Sequence, residues 1–372
     1  MSAAFSENLE LCKWLARNSQ NPIFHPIVLD TSNLEILKWL VGLGWKPSVL
    51  DFARIARDGN MPALKWLKVN GFNWDESTCK AAAEKGHFEV LKWARKLECP
   101  WNAETCAAAA RGGHLEILQW ARQNKCPWNV TTTQWAALNG HFDILKYAVE
   151  NQCPIDKKTF RYAVKNGSME IINYLKEKNC PLDSEVYGAA ASKGNINLLE
   201  WLLNENIPKC KHACFAAVTT GQLEALKWLR EHEFPLSSSG LLERSVEYPE
   251  VFKWLRNNGC AWGKSVMRQI VAKNNFKLFK WALKRGCPAS KSIGETIAGT
   301  GNIEMMKFLK QFKIYPIGKD ACVSAAYSRK LRILSWLVKN GVSLTKDVYA
   351  AAEDDEATDV IQWLKFHGCP TE

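Results

Sequence analysis

Seven cysteines, Cys99, Cys126, Cys153, Cys180, Cys260, Cys287 and Cys369, and three histidines, His87, His114 and His141, are the side chains here that could do chemistry. Thiolate and imidazole ligate zinc and later transition metals, and a thiol beside an imidazole is a nucleophilic pair. Either use needs convergence on one point. No Cys-x-x-Cys occurs, and Cys210 with Cys214 lacks a second pair at zinc-site spacing. The first four cysteines instead stand 27 residues apart, as do the three histidines.

The fillers of each column reveal its task. Phe72, Ile207, Phe234, Ile314 and Val342 replace cysteine in other units, so the position asks for an apolar side chain, which a free thiol supplies. The histidine column is filled elsewhere by Asn33, Asn60, Ser168, Asn195, Gln222, Asn275 and Asn302. These are cap and turn residues, which predicts hydrogen bonding at the start of a helix. No phosphate-binding glycine loop, HExxH or nucleophile elbow is present. The expectation is a protein with no catalytic residues, no metal and no cofactor.

What positions these columns is a repeat. An aromatic follows a Leu-Lys-like pair at Trp14, Trp39, Trp66, Trp93, Trp120, Tyr147, Tyr174, Trp201, Trp228, Trp254, Trp281, Phe308, Trp336 and Trp363. The intervals stay between 25 and 28 residues. A fixed period of this size marks stacked supersecondary units instead of independent globular domains. Each unit reads as two short helices. "ETCAAAARGG" (104–113) has high helix propensity and ends in glycine, and glycine recurs in that column at 59, 86, 140, 167, 194, 221 and 301. "HLEILQWAR" (114–122) carries a broad apolar stripe, and the proline of "CPW" forbids its continuation. The aromatic marks, and Trp74, Trp101, Trp128 and Trp262 eight residues after their marks, alternate with other apolar types and are expected in the core. The first mark, Trp14, has no first helix before it, so the array is read as starting in mid-unit; the acidic "AAEDDEATDV" suits a solubilising cap.

The stretch "TCAAAARGGHLEILQWARQNKCPWN" (105–129) resembles the ankyrin repeat, with its first helix, Gly-His turn and second helix ending before a Gly-Ala-Asp-Val-Asn-like segment. That family repeats at about 33 residues. The shortfall lies between Asn102 and Glu104, where the family's projecting hairpin tip would be, and the Thr-Pro-Leu-His signature is absent. Units so shortened and rich in Cys-Pro-Trp are similar to ankyrin arrays of giant DNA viruses of amoebae and of some protists. The resemblance implies an all-α, ankyrin-like helical solenoid of about 13 two-helix repeats, lacking the long β-hairpin fingers.

Charge supplies the candidate site. The chain carries a net +11, yet residues 251–340 hold 18 Lys or Arg against Glu295, Glu304 and Asp320, a net +15, so the remainder is slightly acidic. One basic column precedes the aromatic mark and includes Lys253, Lys280 and Lys307; the resemblance places it on the outer, convex face. A second, Arg57, Lys85, Arg111, Lys165, Lys193 and Lys273, borders what in the family is the concave partner-binding surface.

The array is read as one domain over 1–372. A bend near 235–254, where the glycine turn is missing, would separate a near-neutral arm (1–234) from an arm holding the basic segment. The expected function is a non-catalytic protein–protein scaffold whose partner presents an acidic surface. The alternative is a nucleic-acid-associated protein holding phosphates through 251–340. No apolar run reaches membrane-span length and no signal peptide is evident, so a monomer with no membrane contact is expected in the cytoplasm, with the nucleus as the alternative. Thirteen cysteines without a secretory signal point to reduced thiols.

Overall fold

The alanine-rich segment forms the helix Ala103–Gly112, and Gly113 ends it in a left-handed turn at φ 84°. The following nine residues form the second helix, Leu115–Gln123. This pair is the repeating element. The computed structural model describes residues 9–10, 32–236, 240–290, 292–311 and 317–371; Lys13, Trp14 and Ile314 lie outside them. Among the described residues there are 25 named helices and no strand, so the protein is an all-α repeat solenoid.

Two compact units divide the chain. The first comprises Met1–Ala190 with Asn197–Pro208, the second Ala191–Ile196 with Lys209–Glu372. In the first unit the helices Val49–Arg57, Glu76–Lys85, Ala103–Gly112, Val130–Asn139 and Lys157–Asn166 stack in succession. In the second, Ala213–Thr219, Leu241–Arg244, Val266–Ala272, Ile293–Thr300, Lys319–Tyr327 and Lys346–Asp354 do the same. Small side chains make this close stacking possible: Ala82, Ala109, Ala136, Ala163, Ala298 and Ala325 are fully buried. The second helices supply the larger core side chains, such as Leu91, Leu118, Leu145, Leu255 and Leu334.

Each unit is closed by side chains acting on backbone. Asp75, Asn102 and Asn129 cap the first helices by accepting from the amides of Ser77, Glu104 and Thr131 at 3.0 Å. The carbonyls of those same cap residues accept the thiols of Cys99, Cys126 and Cys153, 24 residues later, at 3.3–3.4 Å. The cysteine column therefore fills an apolar site and ties the end of a unit to its beginning.

The loop before each cysteine holds a second left-handed position. Glu98, Lys125, Gln152, Asn179, Asn206 and Glu233 occupy it in six successive units with φ of 53–67°, and Gly44, Gly71, Gly259, Gly286, Gly341 and Gly368 fill it elsewhere. The amide of Cys126 then donates to the Ala121 carbonyl and that of Lys125 to Arg122, which satisfies the frayed end of the second helix.

The aromatic marks are not core. Among those in the described residues only Trp228 is buried, at 8% exposure; the rest are half-buried. A column that accepts Trp, Tyr and Phe interchangeably fits a partly solvated ladder as well as a core. Trp74 meets Trp93 edge-on with ring centroids 5.3 Å apart, and Trp101 meets Trp120 at 5.8 Å. Such edge-to-face pairs are favourable in their own right.

At the slip in register the first helix shrinks to Leu241–Arg244, and Pro249 occupies the first position of the next helix, where its missing N–H costs nothing. Glu243 accepts from the Ser265 hydroxyl at 3.3 Å, and Arg244 lies 5.8 Å from the Phe215 ring.

Candidate functional site

The histidines resolve first. His87, His114 and His141 do open the second helices, but none caps them with its side chain. Their Nε2 atoms reach the carbonyls of Arg57, Glu84 and Arg111, 30 residues earlier, at 2.8, 3.2 and 3.3 Å. The expected hydrogen bonding at the helix start belongs instead to the shorter residues of that column. Asn33, Asn60, Ser168, Asn275 and Asn302 accept from amides of the first turn. The longer imidazole overshoots its own cap and links units.

All described cysteines are buried, and no disulfide joins any of them. Burial raises the thiol pKa of Cys153, Cys180 and Cys287 to about 12 and of Cys214 and Cys322 to about 11. Cys79 and Cys106 are raised by hydrogen bonds to the thiols of Cys99 and Cys126 and then by burial. A nucleophilic cysteine needs the opposite environment, one that favours thiolate.

The rim column is exposed throughout, but its members have separate fates. Arg57 and Arg111 lie 3.8 and 3.6 Å from the two oxygens of Glu84, which bridges them across three units. Arg111 also lies 4.7 Å from the Trp135 ring centroid. Lys273 pairs with Glu247. Lys85, Lys165 and Lys193 are exposed and form no ion pair among the described residues.

The column before the aromatic mark is largely neutralised. Lys253 pairs with Glu250 at 2.7 Å and Lys307 with Glu304 at 3.0 Å, each three residues earlier on the same helix. Lys280 has Lys277 at the corresponding place and lies 5.6 Å from the Phe308 ring. Lys319 and Arg329 are answered by Asp347 and Asp355, acids outside the counted basic segment. Lys264, Arg268, Lys277, Lys284, Arg332 and Lys339 are exposed without an ion pair among the described residues. Arg332 and Lys277 take the place that Glu250 and Glu304 hold in neighbouring second helices.

Sequence reasoning missed the cation that organises Cys-Pro-Trp. Arg95 and Arg122, in the last turn of their helices, donate to the carbonyls of Cys99 and Cys126 and lie 4.2 Å from the ring centroids of Trp101 and Trp128. Arg256 repeats the arrangement with Cys260 and Trp262, at 3.3 and 4.8 Å. The signal was present as a basic residue six places before each tryptophan.

The stacked first helices also tie unit to unit through polar side chains. Lys80 meets Glu104 at 3.1 Å, Gln134 meets Asp156 at 3.0 Å, and Arg161 clamps Asp183 through two bonds of 2.7 and 3.1 Å. Burial opposes ionisation of Asp183, but the hydrogen bonds and charge of Arg161 hold its carboxyl below the ordinary value.

In the second unit the corresponding face opens into a groove of about 500 Å³, lined by Glu295, Thr296, Gly299, Val323, Ser324, Tyr327, Ser328, Ala351 and Asp354. No helix among the described residues is long and apolar enough to cross a membrane.

No curated relative matches the chain. Among solved structures it is similar to the pentatricopeptide repeat protein PPR10 from maize, at 12% identity and a TM-score of 0.39, covering 94% of this chain and 64% of that one. It is also similar to PPR10 in complex with an 18-nucleotide psaJ RNA element, at 10% identity and a TM-score of 0.28, covering 97% and 85%. Residues 105–186 match the family described as ankyrin repeats (3 copies), and over that stretch the likeness of the repeat to ankyrin repeats is shown.

Proposed function

We propose that this protein is a non-catalytic scaffold that binds another protein through the surface of its repeats. The ankyrin-repeat match over 105–186 carries the reading. Its exposed cations give the partner an acidic surface, with Lys85, Lys165 and Lys193 as positions of the rim, and Lys280 as one position of the outer column, that form no ion pair among the described residues.

The nucleic-acid alternative rests on the net +15 of residues 251–340. Two arrangements weigh against it. Phosphates reaching Lys253, Lys273 and Lys307 would have to displace the carboxylates held there, which leaves Lys264, Arg268, Lys277, Lys284, Arg332 and Lys339 as the open cations of the segment. Base stacking needs open aromatic faces, and Trp74, Trp101 and Trp128 already sit beneath Lys68, Arg95 and Arg122 at 4.2–4.5 Å.

Capture of partners from cell extract by two charge-reversed forms tests the proposal. One form carries Lys253→Glu, Lys280→Glu and Lys307→Glu, the other Lys85→Glu, Lys165→Glu and Lys193→Glu. The rim form should lose its partner protein while the folded state persists. Retention by both forms sinks the site assignment. Capture dominated by nucleic acid, falling log-linearly with salt, establishes the alternative.

A further inference from the structure

The groove in the second unit presents carboxylates although two of the three helices that line it belong to the basic segment. Its lining comes from three successive first helices, Ile293–Thr300, Lys319–Tyr327 and Lys346–Asp354. Gly299 and Ala351 leave it unfilled, Thr296, Ser324 and Ser328 offer hydroxyls, and Tyr327 stands 58% exposed. Glu295 and Asp354 contribute carboxylates from the first and the last of those helices.

Neither carboxylate has an ion pair among the described residues, although 18 cations crowd residues 251–340. Neighbouring acids are treated differently: Glu304 holds Lys307, Asp347 holds Lys319, and Asp355 holds Arg329. Asp354 also lies in the last turn of its helix, where no basic residue offsets it and the helix dipole disfavours a negative charge. Glu295 is left open inside the cationic segment and Asp354 in the acidic run 353–356 beyond it, and both are placed for cations that come from elsewhere.

The first unit supplies the contrast. There the corresponding helix faces are closed on themselves, Lys80 on Glu104, Arg161 on Asp183, and Glu84 between Arg57 and Arg111. A self-satisfied face has little to gain from a charged partner, because exposed pairs would have to be exchanged one for one.

We infer that this groove docks an extended cationic segment of a partner protein, with one Lys or Arg at Glu295, another at Asp354, and the intervening backbone over the hydroxyls between them. The assignment rests on the scaffold reading above and adds a second charge rule to it: the partner that meets the lysine columns with acids meets this groove with bases. Long-range attraction cannot produce such binding, since the net +11 of the chain repels a polycation. Any affinity must be local.

A fluorescein-labelled hexa-arginine peptide added to the full chain, followed by fluorescence anisotropy at two salt concentrations, is the test. Binding is expected, and Glu295→Gln with Asp354→Asn should weaken it about fivefold or more, the scale of two exposed charge pairs. Tyr327→Ala should weaken it further. Glu304→Gln with Asp347→Asn, which removes the same charge outside the groove, should leave affinity unchanged. Thermal midpoints of all variants should match the wild type, so loss of binding is not loss of fold.

Equal affinity of the groove variant and the wild type overturns the inference, as does equal weakening by the outside pair. Absence of peptide binding overturns it too. Self-association abolished by Tyr327→Ala would make the occupant a second copy, and direct binding of labelled single-stranded RNA that Tyr327→Ala abolishes would make it nucleic acid; either result replaces the inference. The lysine-column captures are scored independently, so the scaffold reading survives or fails separately.

Discussion

The imidazole of His114 reaches the Glu84 carbonyl at 3.2 Å while its ring covers Gly86, where a Cβ would come within 2.6 Å of it. Gly59 faces His87 and Gly113 faces His141 in the same way. The glycine column is thus demanded twice, by its left-handed turn and by the side chain of the next unit. Gly86→Ala should cost about 1–3 kcal/mol, combining backbone strain with displacement of the ring. In the His114→Ala background the penalty should fall, leaving the backbone part. Urea unfolding of the double-mutant cycle measures this, and strictly additive losses would refute the coupling.

The thiols give a pH prediction with a definite sign. Burial raises the folded-state pKa of Cys153 and Cys180 to about 12, above the ordinary thiol value. Folding therefore favours the protonated form. The associated stability is complete below the unfolded-state value near 9 and is lost as pH climbs from there toward about 12. Denaturation midpoints should fall over that range, and the fall should shrink in Cys153→Val with Cys180→Val. Native thiol labelling at pH 8 should be slow at both positions; rapid stoichiometric labelling would contradict their burial.

Arg122 joins two neighbours at once, the Cys126 carbonyl and the Trp128 ring. Arg122→Ala should destabilise by about 1–2 kcal/mol, the sum of a charged hydrogen bond and a cation–π contact. Arg122→Lys should recover only part, because an ammonium lacks the planar fork. Full recovery in a chemical unfolding series would show that charge alone matters.

Trp120 packs edge-on against Phe88 and Trp101, both from the preceding unit. Trp120→Ala should cost about 3 kcal/mol, at the lower end for a large aromatic because the ring is half-exposed. The damage should stay near: amide exchange should quicken around residues 88–128 and much less in Lys319–Tyr327, since repeats contact only their neighbours. Uniform acceleration along the chain would refute this.

The period, the two-helix unit and both turns could be read from residues 104–113 and 114–122, because propensity, glycine and proline act within a few positions. The same was true of the cysteines, whose column exchanges with Phe, Ile and Val. What escaped reading depends on distances between units. Nothing in the sequence tells His87, which reaches back 30 residues, from Asn60, which caps its own helix; side-chain length decides, and only against a folded neighbour. The aromatic marks failed for a related reason, since Trp tolerates half-burial that Leu at a neighbouring position does not. The basic columns were visible as charge, but their neutralisation by Glu250, Glu304 and Glu84 required side-chain geometry. The groove at Tyr327 combines residues from three successive first helices, from Glu295 to Asp354, and leaves no local pattern.

The left-handed residue before each cysteine has a consequence for engineering. Six successive units place Glu, Lys, Gln or Asn where units on either side place glycine. A side chain in that conformation costs about 1 kcal/mol relative to glycine. The middle of the array therefore holds untapped thermostability: Glu98→Gly and Lys125→Gly would each relieve the turn without touching a buried contact. The same change is open at Gln152, Asn179, Asn206 and Glu233, and it leaves every proposed docking surface as it stands.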